Sequence, residues 1–335
     1  MKQTITTIGE ALIDFIPEQR DCPLKEVTTF YRVCGGAPTN VAAAIGKLGG
    51  KARMITQVGN DAFGDYIVDQ LEKCGIDTES ICRTDAANTA LAFVSLKTDG
   101  NRDFSFYRKP SADMLMEPEQ LQPAWLEDTA VLHFGSVSLV GSPMKQTHVR
   151  AIQLAKEQGA VISFDPNIRL PLFPSAEACQ AAVREFLPYV DLLKVSDEEL
   201  EFVTGETDIQ KAAPLLFEQG CKMILYSKGK QGAMLLTPQV VCTEPNPKVK
   251  VKDTTGAGDA ICGAFLYCLG KNGITPENLN QQPAGKLQKW LRYAVYYANY
   301  SVTGSGAITS YPDDETFQRW LRTFDSFIAV RKNEL

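Results

Sequence analysis

Two glycines and an aspartate stand together in the run VKVKDTTGAGDAICGAFLYCL at residues 249–269. Gly256 and Gly258 lack a Cβ, so the backbone there can turn tightly and bring its amide N–H groups close to a ligand. The alternation of Val249 and Val251 with lysines predicts a strand before the turn, and the small and apolar run from Ala260 predicts a buried helix after it. Amides at a helix start have no partner inside the helix, and the helix dipole adds positive potential there. Gly256, Ala257 and Gly258 are therefore candidates for an anion hole, and Asp259 at its mouth is a candidate general base. A base beside anion-binding amides suits the transfer of a phosphoryl group to a hydroxyl. The same residues serve equally well as a turn and a helix cap, so spacing alone leaves both readings open. It does exclude the G-x-G-x-x-G and G-x-x-x-x-G-K-[ST] loops.

The elements that must position these residues read as an alternation of strands and helices. Residues 5–16 predict a strand interrupted at Gly9, with Asp14 as a lone carboxylate that is costly unless paired or used. In YRVCGGAPTNVAAAIGKLGG, Pro38 suits a first helical turn and Gly49 a helix end, which puts Gly35, Gly36 and Asn40 at a second strand-to-helix junction. Residues 52–58 predict a strand, followed by an amphipathic helix that ends at Gly75. Further strands are expected at 131–134, 160–164, 192–195, 223–227 and 233–236, with a helix near 143–157 and an aromatic-rich helix over 286–302. Such alternation favours a doubly wound, mostly parallel sheet flanked by helices, here as a single α/β domain. Residues 90–96 and 103–108 alternate about Thr98-Asp99-Gly100-Asn101, a hairpin signal with no intervening helix. In SDEE, Ser196 and Glu199 have the spacing of a capping box.

Composition narrows the function further. Across 335 residues, 44% hydrophobic and 22% charged, the chain can bury a large core. A net charge of −6 gives no general attraction to nucleic acid or anionic membrane, so any phosphate site must be local. Nine cysteines with no C-x-x-C pair read as reduced thiols, and the first residues lack a signal-peptide pattern. A cytoplasmic location is therefore expected. No apolar run approaches membrane-spanning length. Two histidines and no H-E-x-x-H argue against a zinc hydrolase.

The unit DTTGAGD at 253–259 closely resembles the signature of the ribokinase-like sugar kinases, also called the phosphofructokinase B family. FYRKPSADMLM and SFDPNIRLPLFPS resemble fructokinase segments, and the likeness runs from about residue 7 to residue 312. It implies a ribokinase-like fold with a small β-stranded lid from about 14–34 and 90–112. It also implies transfer of a phosphoryl group from ATP to D-fructose, with Asp259 as base. Sugar would be bound by Asp14, Gly35, Gly36, Asn40, Arg108, Arg169 and Asp259. ATP would be bound by Lys194, Ser196, Ser227, Gly229, Gly232, Thr255, Gly256 and Gly258. The resemblance further implies Mg2+ organised indirectly by Glu199 and activation by K+. Asp253, Thr255, Ser301, Gly304, Gly306 and Ser310 would surround the monovalent cation. In several relatives the lids of two subunits pair, so a homodimer is expected.

Three positions depart from the family pattern. Ser196 stands where Asn is usual, Val295 stands where many relatives use Asn near the adenine, and Gly304-Ser305 replaces a basic pair. Alternatives are a kinase of the same fold acting on 2-keto-3-deoxygluconate, ribose, aminoimidazole riboside or a nucleoside. Another is a non-catalytic sugar-binding regulator, which would have no need of a base at residue 259.

Overall fold

The computed structural model describes residues 2–19, 21–96 and 102–324. The chain begins with β1 (Thr4–Ile8), β2 (Leu12–Pro17), β3 (Phe30–Gly35), α1 (Ala37–Lys47), β4 (Ala52–Gly59) and α2 (Ala62–Lys73). Short strands β5 (Ile76–Asp77) and β6 (Ile81–Thr84) precede β7 (Ala90–Leu96) and β8 (Arg102–Tyr107). Then come β9 (Thr129–Gly135), α3 (Pro143–Glu157), β10 (Val161–Asp165), α4 (Ala176–Phe186), β11 (Leu192–Ser196), α5 (Asp197–Thr204) and α6 (Ile209–Glu218). The last part holds β12 (Met223–Ser227), β13 (Ala233–Leu236), β14 (Val241–Glu244), α7 (Ala257–Lys271), α8 (Ala284–Ser301) and α9 (Asp314–Leu321).

A ten-stranded sheet runs in the order β14-β13-β12-β11-β10-β9-β1-β4-β5, with β6 also on β4. From β12 to the β5/β6 edge every pairing is parallel, whereas β13 and β14 are antiparallel additions. Its strands are buried on both faces because successive side chains point to opposite cores. Val131 packs with α1, α7, α8 and α9 on one side, while Leu132 and Phe134 pack with α3 to α6 on the other. Among the described residues, no helix is long and apolar enough to cross a membrane.

The strand expected over 5–16 is broken at Gly9 (φ +145°), and its second half, β2, leaves the large sheet. It joins a separate four-stranded sheet ordered β3-β2-β7-β8, in which β2/β3 and β7/β8 are antiparallel and β2/β7 is parallel. The turn at Thr98-Asp99-Gly100-Asn101 lies outside the described residues. In register on one face stand Asp14, Ala92 and Phe106. On the other, Phe15 stacks on Phe93 at 4.7 Å and meets Phe63 of α2 edge-on at 5.8 Å, while the Arg32 guanidinium lies 4.4 Å over the Tyr66 ring. One face of the small sheet is thus anchored on α2, and the other is left for the cleft.

The strand expected at 249–252 does not form. β14 ends at Glu244, and Pro245 and Pro247, which cannot donate to a ladder, follow at once. The segment crosses to α7 as irregular backbone, with Val251 58% exposed and the Lys252 and Asp253 N–H groups on the Val302 carbonyl at 2.8 and 3.2 Å. An alternating pattern predicts a strand only when one face can be buried, and here neither is.

Candidate active site

The α7 N-terminus is shaped by its surroundings. Gly256 caps it in the left-handed conformation (φ +72°), and a Cβ there would sit 2.5 Å from both the Ala307 Cβ and the Tyr311 hydroxyl. The Tyr311 hydroxyl donates to the Gly256 carbonyl at 2.7 Å. Further along α7, a Cβ on Gly263 would meet the Ala44 Cβ at 2.7 Å, so this glycine lets α1 and α7 approach closely. That contact brings Asn40 Nδ2 to donate to Asp259 Oδ2 at 2.8 Å. Asn40 Oδ1 is buried and accepts no hydrogen bond among the described residues. Burial lifts the Asp259 carboxyl, and the Asp165 carboxylate adds to this. Asn40, Lys194 and Arg169 oppose it, and the pKa stands at about 7. A carboxylate so placed is poised to exchange a proton near neutral pH.

In front of Asp259 lies a cavity of about 470 Å3 between the small sheet and the C-terminal ends of the large sheet's strands. Ligands of open α/β sheets bind outside these strand ends. Asp14, Gly36, Asn40, Arg169, Lys194, Thr255, Gly256, Gly258 and Asp259 all line it. A Cβ on Gly258 would come within 3.4 Å of the Lys194 ammonium, so the cation stands directly beside the backbone at the α7 start. Lys194 is buried, pairs with Asp165 at 2.9 Å and approaches Glu199 at 4.0 Å. Burial alone would lower its pKa, but these two carboxylates outweigh burial and keep it charged.

The capping box forms as the spacing predicts. Glu199 Oε2 accepts from the Ser196 N–H at 3.0 Å and from its hydroxyl at 2.7 Å. Oε1 accepts from the Ile168 N–H at 2.8 Å, which also fixes the loop that carries Arg169. Burial would raise the Glu199 carboxyl, but Lys194 and these hydrogen bonds hold it below its ordinary value. Among the described residues no three metal-binding side chains cluster. Ser196 and Ser227 pair across β11 and β12, and Gly229 and Gly232 bound the turn after β12, beyond the cavity. Gly232 (φ +100°) is also required by packing, since a Cβ would lie 2.1 Å from the Glu244 carbonyl oxygen.

Two of the expected sugar residues act on neighbours. A Cβ on Gly35 would fall 2.2 Å from Asp14 Oδ2, so this glycine makes room for that carboxylate. Arg108 is the other. It is buried, donates to Asp113 through Nε at 3.0 Å and again through Nη2, and reaches the Val137 carbonyl at 3.2 Å, but it does not line the cavity. A buried guanidinium needs a carboxylate more than it needs solvent, and Asp113 lies five residues on.

The loop at 301–310 is joined to the anion hole by Asp253. Its Oδ1 accepts from the Thr255 N–H at 3.0 Å and hydroxyl at 2.6 Å, and its Oδ2 accepts from the Gly306 N–H at 2.9 Å. Ser301 and Ser310 donate to the Ala298 and Ala307 carbonyls, both at 2.8 Å, and Gly304 packs against Ser310.

Sequence reasoning missed Glu10 and Asn299. Glu10 lines the cavity, accepts from the Ala37 N–H at 3.0 Å and the Ser138 hydroxyl at 3.1 Å, and so holds the start of α1. Its signal was its place beside Gly9, at the break between β1 and β2. Val295 is buried in the core as its type requires. One turn on, Asn299 Nδ2 donates to Asn246 Oδ1 at 2.8 Å, and Asn246 donates to the Gly229 carbonyl at 2.9 Å.

Comparison with known proteins agrees with this architecture. The profile of the pfkB family carbohydrate kinases matches residues 2–314. A protein of Arabidopsis thaliana named probable fructokinase-5 is 39% identical over 320 residues, covering 95% of this chain and 97% of its own. The crystal structure of a fructokinase from Xylella fastidiosa with bound ATP superimposes with a TM-score of 0.88 at 32% identity, covering 96% of this chain and 99% of that one. An E. coli protein assigned as a ribokinase II, solved with ATP and Mg2+, gives 0.86 at 25% identity over 96% of this chain and all of its own.

Proposed function

The chain belongs to the pfkB family of carbohydrate kinases, and from that premise we propose how its residues phosphorylate a sugar. The enzyme is an ATP-dependent fructokinase, converting D-fructose and ATP to D-fructose 6-phosphate and ADP. The observation that carries the mechanism is the pair Asn40–Asp259. One amide group holds the base by its nitrogen, which fixes the Asp259 carboxylate at the cavity that both residues line, where an acceptor hydroxyl would enter. Asp14 and Arg169 then fix the far side of the sugar.

With the acceptor hydroxyl against Asp259, the carboxylate takes its proton as the oxygen attacks phosphorus. The N–H groups at the α7 start and the Lys194 ammonium face the oxygens on which negative charge is shared. Glu199 would help to hold a Mg2+ ion indirectly, and such an ion would supply further neutralisation of that charge. Ser196, Ser227, Gly229 and Gly232 would border the rest of the nucleotide.

Three further readings go with this one. K+ bound among Asp253, Thr255, Ser301, Gly304, Gly306 and Ser310 would order the loop that abuts Gly256, and the Asp253 bridge from Thr255 to Gly306 supports it. The small sheet, whose edges are β3 and β8, acts as a lid and as the contact of a homodimer. The 46% and 64% exposure of Tyr31 and Tyr107 supports such a contact. Nine unbridged cysteines suit a reducing, cytoplasmic setting.

ADP release measured with fructose, ribose, 2-keto-3-deoxygluconate, aminoimidazole riboside and no sugar tests the reading. Fructose should give the highest kcat/KM, with fructose 6-phosphate as product. A higher value on another acceptor, or ADP release indifferent to sugar, would overturn it.

A further inference from the structure

At the C-terminal end of α1, seven residues after Asn40, the half-buried Lys47 turns its ammonium onto two carbonyl oxygens, Ile308 at 2.7 Å and Tyr311 at 2.8 Å. These oxygens bracket the short helical turn Ile308–Ser310. The ring of Tyr311 reaches back the other way, and its hydroxyl donates to the Gly256 carbonyl at 2.7 Å. Ala307, in the same loop, stands against the α carbon of Gly256 so closely that a Cβ there would be 2.5 Å from its own. A line of direct contacts therefore runs from Lys47 through the loop to the peptide that opens the anion hole. Asn40, on the same helix, bonds Asp259. α1 therefore touches the α7 start twice, once at the base and once, through the loop, at the amides.

We propose that Lys47 is a positioning residue for phosphoryl transfer. Its ammonium serves as a built-in cation that clamps the 307–311 loop, so that Tyr311 and Ala307 hold the Gly256 peptide at the angle the anion hole needs. This rests on the kinase reading, although the clamp itself is a statement about the fold. Carbonyl oxygens that converge without a hydrogen-bond donor repel one another, and an ammonium with three donors relieves that repulsion. The clamp lies on the face of the loop that looks away from the active site. Beside it opens a second cavity, of about 600 Å3, lined by Lys73, Tyr300, Thr309 and Asp313 among others, so a small solute can reach the same carbonyls if the side chain is shortened.

Lys47→Met keeps the stem of the side chain and removes the donors. Misplacing a catalytic group by about 1 Å can cost on the order of 100-fold in rate, and a loosened loop should cost roughly 10-fold or more in kcat. The KM for fructose should stay within about twofold, because Asp14 and Asn40 do not depend on the clamp. Lys47→Ala should lose as much and regain part of it with millimolar n-propylammonium but not n-propanol. Tyr311→Phe cuts the same line at its other end, so Lys47→Met with Tyr311→Phe should cost little more than the worse single change. Hydrogen exchange gives a reading independent of activity: peptides covering 253–260 and 303–311 should exchange faster in Lys47→Met, while those from β9 and β10 stay unchanged. Wild-type kcat in Lys47→Met, or unchanged exchange in both peptides, overturns the clamp. If the wild type failed to phosphorylate fructose, the kinase reading would fall while exchange still decided the clamp.

Discussion

Gly256 and not Asp259 caps α7, so Asp259→Asn separates a base from a purely structural partner of Asn40, because asparagine keeps the shape and can still accept from Asn40 Nδ2. As the acceptor of the sugar proton, Asp259 should be worth about 10²–10⁴-fold in kcat. At about 1.36 kcal/mol per decade this is roughly 3–5 kcal/mol of barrier. The structure adds a second signature with the opposite sign. The carboxyl moves from 3.8 to about 7 on folding, chiefly through burial. A raised carboxyl pKa favours the folded state while the group is protonated, so that contribution is present below about pH 4 and is lost as pH climbs through about 7. The ceiling on the loss is about 4 kcal/mol, from roughly three pKa units at about 1.36 kcal/mol each. Asparagine carries no charge to bury. Asp259→Asn should therefore be more stable than the wild type at pH 8, with the gap closing toward pH 4. Steady-state turnover on fructose from pH 5 to 9, with urea melts at both ends, measures both. The wild-type kcat/KM should rise through a pKa near 7, and the variant should be flat and low. Turnover within a few-fold of wild type, with equal stability at pH 8, would leave Asp259 as no more than a hydrogen-bond partner of Asn40.

The other expectations touch different parts of the site. Asp14→Ala should raise the KM for fructose far more than it lowers kcat, and unchanged fructose kinetics would remove Asp14 from the sugar site. Replacing K+ by tetramethylammonium at constant ionic strength should slow turnover, and equal rates would argue against a cation in the 301–310 loop. Arg108→Met strands the buried Asp113 carboxylate, so it should cost about 3–5 kcal/mol in urea unfolding with little change in fructose KM. A KM that rises alone would restore Arg108 to the sugar. Light scattering at micromolar concentration should give a dimer, and a clean monomer would count against pairing through the small sheet.

The α7 start was legible because its signal is redundant: two glycines, an aspartate and a long small-apolar run agree on one junction. α1 was legible for the same reason, from Gly36 just before it, Pro38 in its first turn and Gly49 after it. The strand expected at 249–252 failed because alternation says nothing about whether a second layer exists to cover one face. β5 and β6, of two and four residues, are too short to carry a period at all. Arg108 looked like a loop residue at the cleft because a buried ion pair and a solvated one have the same letters, and only Asp113 folding back at zero exposure tells them apart. Glu10 and Asn299 act through partners 27 to 128 and 53 residues away, a separation at which single-sequence spacing carries no information.

The chain leaves the large sheet at Gly9 and returns to it through Gly36, and this division sets the residues proposed to hold the sugar on different bodies. Asp14 belongs to the small sheet, while Asn40 and Asp259 belong to the helices packed on the large one. A molecule that reaches all three is a fastener, and its length matters as much as its hydroxyls. An acceptor long enough to meet Asp14 and Asp259 together would hold the two bodies against each other, and one too short would not. Discrimination by reach would then operate before any hydroxyl is compared, and it would guard ATP against water in the absence of sugar.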